Sequence, residues 1–164
     1  RASILFSGTA NLAAREAQRE LHEHYGVSAD LWSVTSYKRL REEALEVERW
    51  NRLHPTSEPR VPFVTRTLQD GEGPVVAVTD FMKAVPDQVG RWVPRDYVVL
   101  GTDGFGRSDS RTALRRFFET DTGHVVFATL SALVRAGELD SGVIDDAVRR
   151  YDLDPDAPNP ASLW

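Results

Sequence analysis

Four short runs of apolar, mostly β-branched residues alternate with longer segments of helical period, and that alternation constrains this chain to parallel strands joined by crossover helices, an α/β fold. The first run covers residues 4–6 and ends at Ser7-Gly8-Thr9. Ala10, Ala14, Ala17, Leu21 and Tyr25 then recur on one helical face, and Gly26 is placed to stop that helix in a left-handed cap. A second strand over 30–34 precedes a helix whose inward face is Tyr37, Leu40, Ala44, Val47 and Trp50. Pro55, Pro59 and Pro62 make 53–61 an ordered excursion, and Pro62 opens a short helix to Leu68. The turn cluster Asp70-Gly71-Glu72-Gly73-Pro74 delivers a third strand, 75–79.

A helical stretch with Phe81, Val85, Val89 and Trp92 in phase follows, kinked or restarted at Pro86. Tyr97-Val98-Val99-Leu100 is the fourth strand, and its unbroken apolar character predicts a central position. Beyond it the pattern is helical. Ser108 or Ser110 caps a helix carrying Leu114, Phe117 and Phe118. A second helix holds Val126, Leu130, Leu133 and Val134 and ends at Gly137. Asp140 caps a last one with Ile144, Ala147, Val148 and Tyr151 inward. The division is one domain over 1–153 and an extended, proline-bearing tail over 154–164.

With 164 residues the chain is long enough for one core. A net charge of −5 argues against a nucleic-acid surface, which needs a basic stripe. No apolar run approaches the ~20 residues that cross a bilayer, so no membrane span is expected. The absence of cysteine removes thiolate chemistry and suits a reducing, cytoplasmic compartment. The first residue is Arg and the single methionine is Met82, which leads us to expect a segment of a longer polypeptide.

The most chemically suggestive stretch is Gly101-Thr102-Asp103-Gly104-Phe105-Gly106-Arg107-Ser108-Asp109-Ser110-Arg111, between a buried strand and a helix. Ligands of open α/β sheets bind at strand carboxyl ends, and Arg107 and Arg111 can fork onto a carboxylate or phosphate. The same residues also serve a structural reading, in which glycines supply turns, serines cap the helix, and Asp103 and Asp109 pair with arginines at a domain or subunit contact. The glycine spacing fits neither the Walker nor the dinucleotide pattern. His54 lies in Arg49-Trp50-Asn51-Arg52-Leu53-His54-Pro55 and is expected to hold that loop by a hydrogen bond. His22 and His24, two apart, diverge on their helix, and His124 begins another. Glu42, Glu43, Glu46 and Glu48, interleaved with arginines, read as a solvated face, and Asp145 and Asp146 diverge. No Gly-x-Ser-x-Gly elbow supports a hydrolase, and no complete active site is expected.

Ser33-Val34-Thr35-Ser36, Glu48-Arg49-Trp50-Asn51-Arg52-Leu53-His54-Pro55, Arg60-Val61-Pro62, Thr79-Asp80-Phe81-Met82-Lys83 and the turn from Gly101 through Arg111 together resemble the C-terminal domain of homodimeric pyruvate dehydrogenase first components, within the transketolase superfamily. The resemblance implies a three-layer, mostly parallel sheet of four to five strands flanked by helices. It implies a parent enzyme that uses thiamin diphosphate and magnesium to decarboxylate pyruvate and acetylate a lipoyl carrier. Partners would be the remaining domains of the same chain, a second subunit and the lipoyl acyltransferase component. The cofactors of such enzymes are held by other domains, so no cofactor, metal or catalytic residue is assigned to this segment. His54, Asp80, Asp103, Arg107, Ser108 and Arg111 are the candidate interface or active-site-wall residues. The competing expectation is a stand-alone module that binds a carrier domain or a small anion.

Overall fold

The computed structural model describes residues 1–163, so the final tail residue, Trp164, lies outside the described residues. Strands β1 (Ala2–Phe6), β2 (Ala29–Ser33), β3 (Val75–Val78) and β4 (Tyr97–Leu100) form one all-parallel sheet in the order β2-β1-β3-β4. The register sets Ile4 beside Leu31 on one side and Val76 on the other, with Val76 beside Val98. The order of connection reverses between β1 and β3, since β2 is added on one side of β1 and β3 on the other, and such a point is where open parallel sheets form a ligand crevice.

Among the described residues seven α-helices flank the sheet: α1 (Asn11–Tyr25), α2 (Tyr37–Leu53), α3 (Phe63–Leu68), α4 (Ala84–Asp87), α5 (Arg111–Phe117), α6 (Thr122–Arg135) and α7 (Gly142–Arg150). Ala14, Ala17 and Leu21 of α1 meet Val126, Leu130 and Leu133 of α6 in a core that includes Ile4 and Val78. The opposite face joins Leu5, Val75 and Ala77 to Tyr37 and Ala44 of α2, Val64 and Leu68 of α3, and Val89. Alternate strand residues thus feed opposite cores, as the two-residue period requires. Gly26 ends α1 at φ 64° and Pro62 stands at the start of α3, as the sequence predicts.

The fourth strand is not central. β4 is an edge strand and half-buried throughout, whereas all four residues of β3 are buried. Leu100 packs into one core, and Tyr97 and Val99 into the other. A continuous apolar run reports helices on both faces of a strand, not strands on both of its edges.

The stretch after β3 restarts rather than kinks. Pro86 falls in the single turn of α4, where its missing N–H has no helical acceptor to serve, and a 3-10 turn at Gly90–Trp92 follows. Phe81 precedes both and is 54% exposed, so it does not join Val89 and Trp92 inside. The tail, expected to be extended, contains a 3-10 turn at Pro160–Ser162, capped by Asn159 Oδ1 accepting the Ala161 N–H at 3.0 Å. Ser141, not Asp140, is the cap residue of α7, although Asp140 Oδ1 accepts the Gly142 N–H.

The carboxylates of α2 are not uniformly solvated. Glu48 accepts the Trp92 indole N–H at 2.8 Å and pairs with Arg91, and Glu43 accepts the Phe63 N–H at 3.0 Å. Helical periodicity cannot register segments that return from elsewhere in the chain. No helix is long and apolar enough to cross a membrane among the described residues.

Candidate functional site

Because all four strands run in parallel, their carboxyl ends deliver Ser7-Gly8-Thr9, Thr79-Asp80 and the turn 101–111 to one edge of the sheet. Ser7 Oγ donates to Thr79 Oγ1 at 2.7 Å, and both hydroxyls are buried between the ends of β1 and β3. Asp80 Oδ2 accepts the Thr9 N–H at 2.9 Å. Its carboxylate occupies the space beside Gly8, where a β-carbon would lie 1.8 Å from Oδ1 and would displace it, and the φ of 59° there also favours glycine. Thr102 ties the third loop to the second: its N–H donates to the Phe81 carbonyl and its hydroxyl to the Asp80 carbonyl, both at 2.9 Å.

Beyond these bonds the edge opens into a cleft of about 460 Å³, lined in part by Thr9, Asp80, Arg107, Arg111, Arg115 and Phe118. Helix α5 forms one wall. Ser110 caps it by accepting the Ala113 N–H, and Arg111 and Arg115, four apart, share its cleft side. Arg115 Nη2 donates to the Thr9 carbonyl at 2.9 Å, and the Arg107 guanidinium lies 4.3 Å from the centroid of the Phe117 ring.

Of the predicted residues, Asp80, Arg107 and Arg111 converge on this cleft. Asp103 turns the other way, with Oδ1 accepting the Lys83 N–H at 2.8 Å. Burial raises the Asp87 carboxyl above its usual range, and the nearby Asp103 carboxylate pushes it further against the opposing charge of Lys83. Ser108 is exposed on the turn. His54 stands apart, at the far end of the 17-residue helix α2, about 25 Å from where that helix leaves the sheet edge. There its Nδ1 lies 2.8 Å from the Trp50 carbonyl oxygen and its ring stacks on Trp50 at 4.3 Å. Arg60 lies over the same indole, and Asn51 exchanges two hydrogen bonds with the Arg60 backbone. His54 thus bonds back onto its own helix, while Trp50 and Asn51 hold Arg60 of the proline-rich excursion.

Thr9, Arg115, Phe118 and Thr120 also line the cleft and were not singled out in the sequence. The spacing of Arg115 from Arg111 was the available signal, as was the position of Thr9 just past a strand. Among the described residues, one cluster of metal-ligand type, Glu20, Glu23 and His24, lies in the last turns of α1, away from the cleft lining, and its Glu20 already accepts the Tyr151 hydroxyl. The carboxylates in the cleft are Asp80, held by Thr9, and Asp109, whose Oδ1 accepts the Ser110 N–H. Magnesium bound to a diphosphate needs free oxygen ligands converging on one point. The cleft's donor set does not fit it.

The family model of the transketolase-like TK C-terminal domain matches residues 1–121. This chain belongs to that family. Its all-parallel, helix-flanked sheet is the architecture that membership implies. Among curated relatives, it is 48% identical over 158 residues to the pyruvate dehydrogenase E1 component of Pseudomonas aeruginosa, covering 96% of this chain and 18% of the relative. The corresponding component of Escherichia coli is 47% identical over 158 residues, with the same coverage. That of Mycobacterium tuberculosis is 46% identical over 160 residues, covering 98% of this chain and 17% of the relative. The chain thus spans less than a fifth of the length of these relatives.

Proposed function

We propose that this chain acts as the carboxyl-terminal domain of a pyruvate dehydrogenase first component, bracing an active site carried by other domains. The observation that carries the reading is a match at nearly half identity along almost all of the chain to E1 components five to six times longer. The parent enzyme would be a cytoplasmic homodimer that decarboxylates pyruvate and reductively acetylates the lipoyl group of an acyltransferase component. Thiamin diphosphate with magnesium would supply the carbanion chemistry from its place on those other domains. This domain would supply dimer-facing surface and a wall of the active-site channel through the turn 101–111 and the excursion around His54.

Surface composition supports that role at both places. Leu12, Phe81 and Met82 stand exposed at the carboxyl edge of the sheet, and Leu53, Val61 and Phe63 are exposed around the excursion. Grouped apolar side chains of this kind favour contact with further protein.

The test uses the longer protein with and without residues 1–164. Removal is expected to abolish both dimer formation and pyruvate decarboxylation, and the 164-residue chain alone is expected to show neither turnover nor magnesium-dependent binding of thiamin diphosphate. Retention of dimer and turnover in the truncated enzyme, or magnesium-dependent cofactor binding by this chain alone, refutes the reading.

A further inference from the structure

We propose that the cleft at the carboxyl ends of β1, β3 and β4 binds a small phosphoryl-bearing anion. Arg107, Arg111 and Arg115 all line it, and among the described residues none of the three forms an ion pair. This contrasts with Arg116, the next residue on α5, which pairs with Asp121 and donates to the Tyr151 and Asp152 carbonyls. The two acids of the cleft, Asp80 and Asp109, are each hydrogen-bonded to a backbone N–H rather than to a guanidinium, so the three arginines outnumber the carboxylates and leave the cleft net positive.

Two of the arginines are held in place without using a carboxylate. Arg115 is anchored on the Thr9 carbonyl and Arg107 on the face of Phe117. Both retain further N–H donors, since a guanidinium carries five. Arg111 has no side-chain partner among the described residues and is exposed at the cleft. Thr9, Thr102 and Thr120 also line the cleft, and Ala10, Leu114 and Phe118 give it an apolar wall.

A volume of about 460 Å³ suits a small metabolite. A carboxylate offers two oxygens, fewer than three guanidinium forks can engage, whereas a phosphoryl group or diphosphate offers three or more. The position is also the crevice where β1 and β3 diverge in connection, the usual ligand point of open α/β sheets.

Calorimetric titration of the 164-residue chain with inorganic phosphate and with pyrophosphate, at constant ionic strength set by chloride, tests this. Saturable binding is expected for both, tighter for pyrophosphate, with acetate at least tenfold weaker. Arg111→Ala is expected to weaken pyrophosphate binding tenfold or more, and Arg111→Lys to recover part of the loss by restoring charge without the fork. Circular dichroism should show both variants folded, because Arg111 holds no other element. Backbone amide signals of Thr9 and Thr102 should shift on titration in the parent chain. Absence of saturable binding by about 10 mM, tenfold weaker than a millimolar complex, overturns the proposal. So does acetate binding as tight as phosphate, which would assign the cleft to a protein carboxylate, or unchanged affinity in Arg111→Ala. Such a failure would leave the domain's bracing role intact, since that role places no ligand here.

Discussion

At the residue scale, the sheet edge depends on close backbone approach at Gly101. A β-carbon there would lie 2.7 Å from the Phe81 carbonyl oxygen and 3.0 Å from the Lys83 nitrogen, both main-chain atoms that cannot swing aside. Gly101→Ala is therefore expected to cost about 1–3 kcal/mol of stability and to speed hydrogen exchange at the Thr102 and Lys83 amides, read by denaturant unfolding and exchange spectroscopy. Gly106 faces open space within 4 Å and has no left-handed φ, so Gly106→Ala is the control and should leave both readouts unchanged. The sequence showed three glycines in this turn and gave no basis for ranking them. Which of them meets another segment is decided by tertiary contacts, the pairing of β3 with β4 for Gly101 and the return of the tail for Gly104.

At the element scale, α6 is a helix that the first core and the sequence pattern define together, and its first turn carries a charge device that periodicity could not reveal. Asp121 caps it: Oδ1 accepts the His124 N–H at 3.0 Å and lies 2.6 Å from the same residue's Nδ1, while Oδ2 is 3.5 Å from Arg116. Burial alone would raise this carboxyl, but the two hydrogen bonds from His124 and the charges of His124 and Arg116 outweigh it and hold the group below its ordinary range. A depressed folded-state value means the unfolded chain binds the proton more readily. The resulting stability is therefore present above about pH 4, the unfolded carboxyl's range, and is lost as pH falls through the folded value. Asp121→Ala should cost about 1–2 kcal/mol at neutral pH through loss of the cap. Asp121→Asn should keep most of the cap while flattening the acid arm of a pH–stability profile. A parallel acid arm in the wild type and Asp121→Asn would rule out this origin.

At the scale of the whole molecule, two cores pack the opposite faces of one sheet, whose strands present the loops of the carboxyl edge. Leu130 is fully buried in the first core, where α6 meets α1 and the sheet. Leu130→Ala should leave a cavity and cost about 3 kcal/mol, lowering the melting temperature by roughly 10 °C, measured by scanning calorimetry. A loss below about 1 kcal/mol, the level of an ordinary surface change, would show that this contact does not organise the fold. The tail also belongs to this scale: Pro160 and Ala161 lie against Gly104, a contact between segments more than fifty residues apart in a region the sequence pattern marks only as proline-bearing. Local rules determined much of the molecule. Periods of two and near four residues set the alternation of strands and helices. Ser110 and Gly26 marked ends through backbone groups that must be satisfied within a turn or two, and the motif order pointed to the family. Tertiary structure alone decided that β4 takes the edge, that Asp80, Arg107, Arg111 and Arg115 share one cleft while Asp103 and His54 serve elsewhere, and that Glu43 and Glu48 reach other segments. Those outcomes depend on strand order and on contacts between distant parts of the chain, and neither is encoded in the spacing of neighbours.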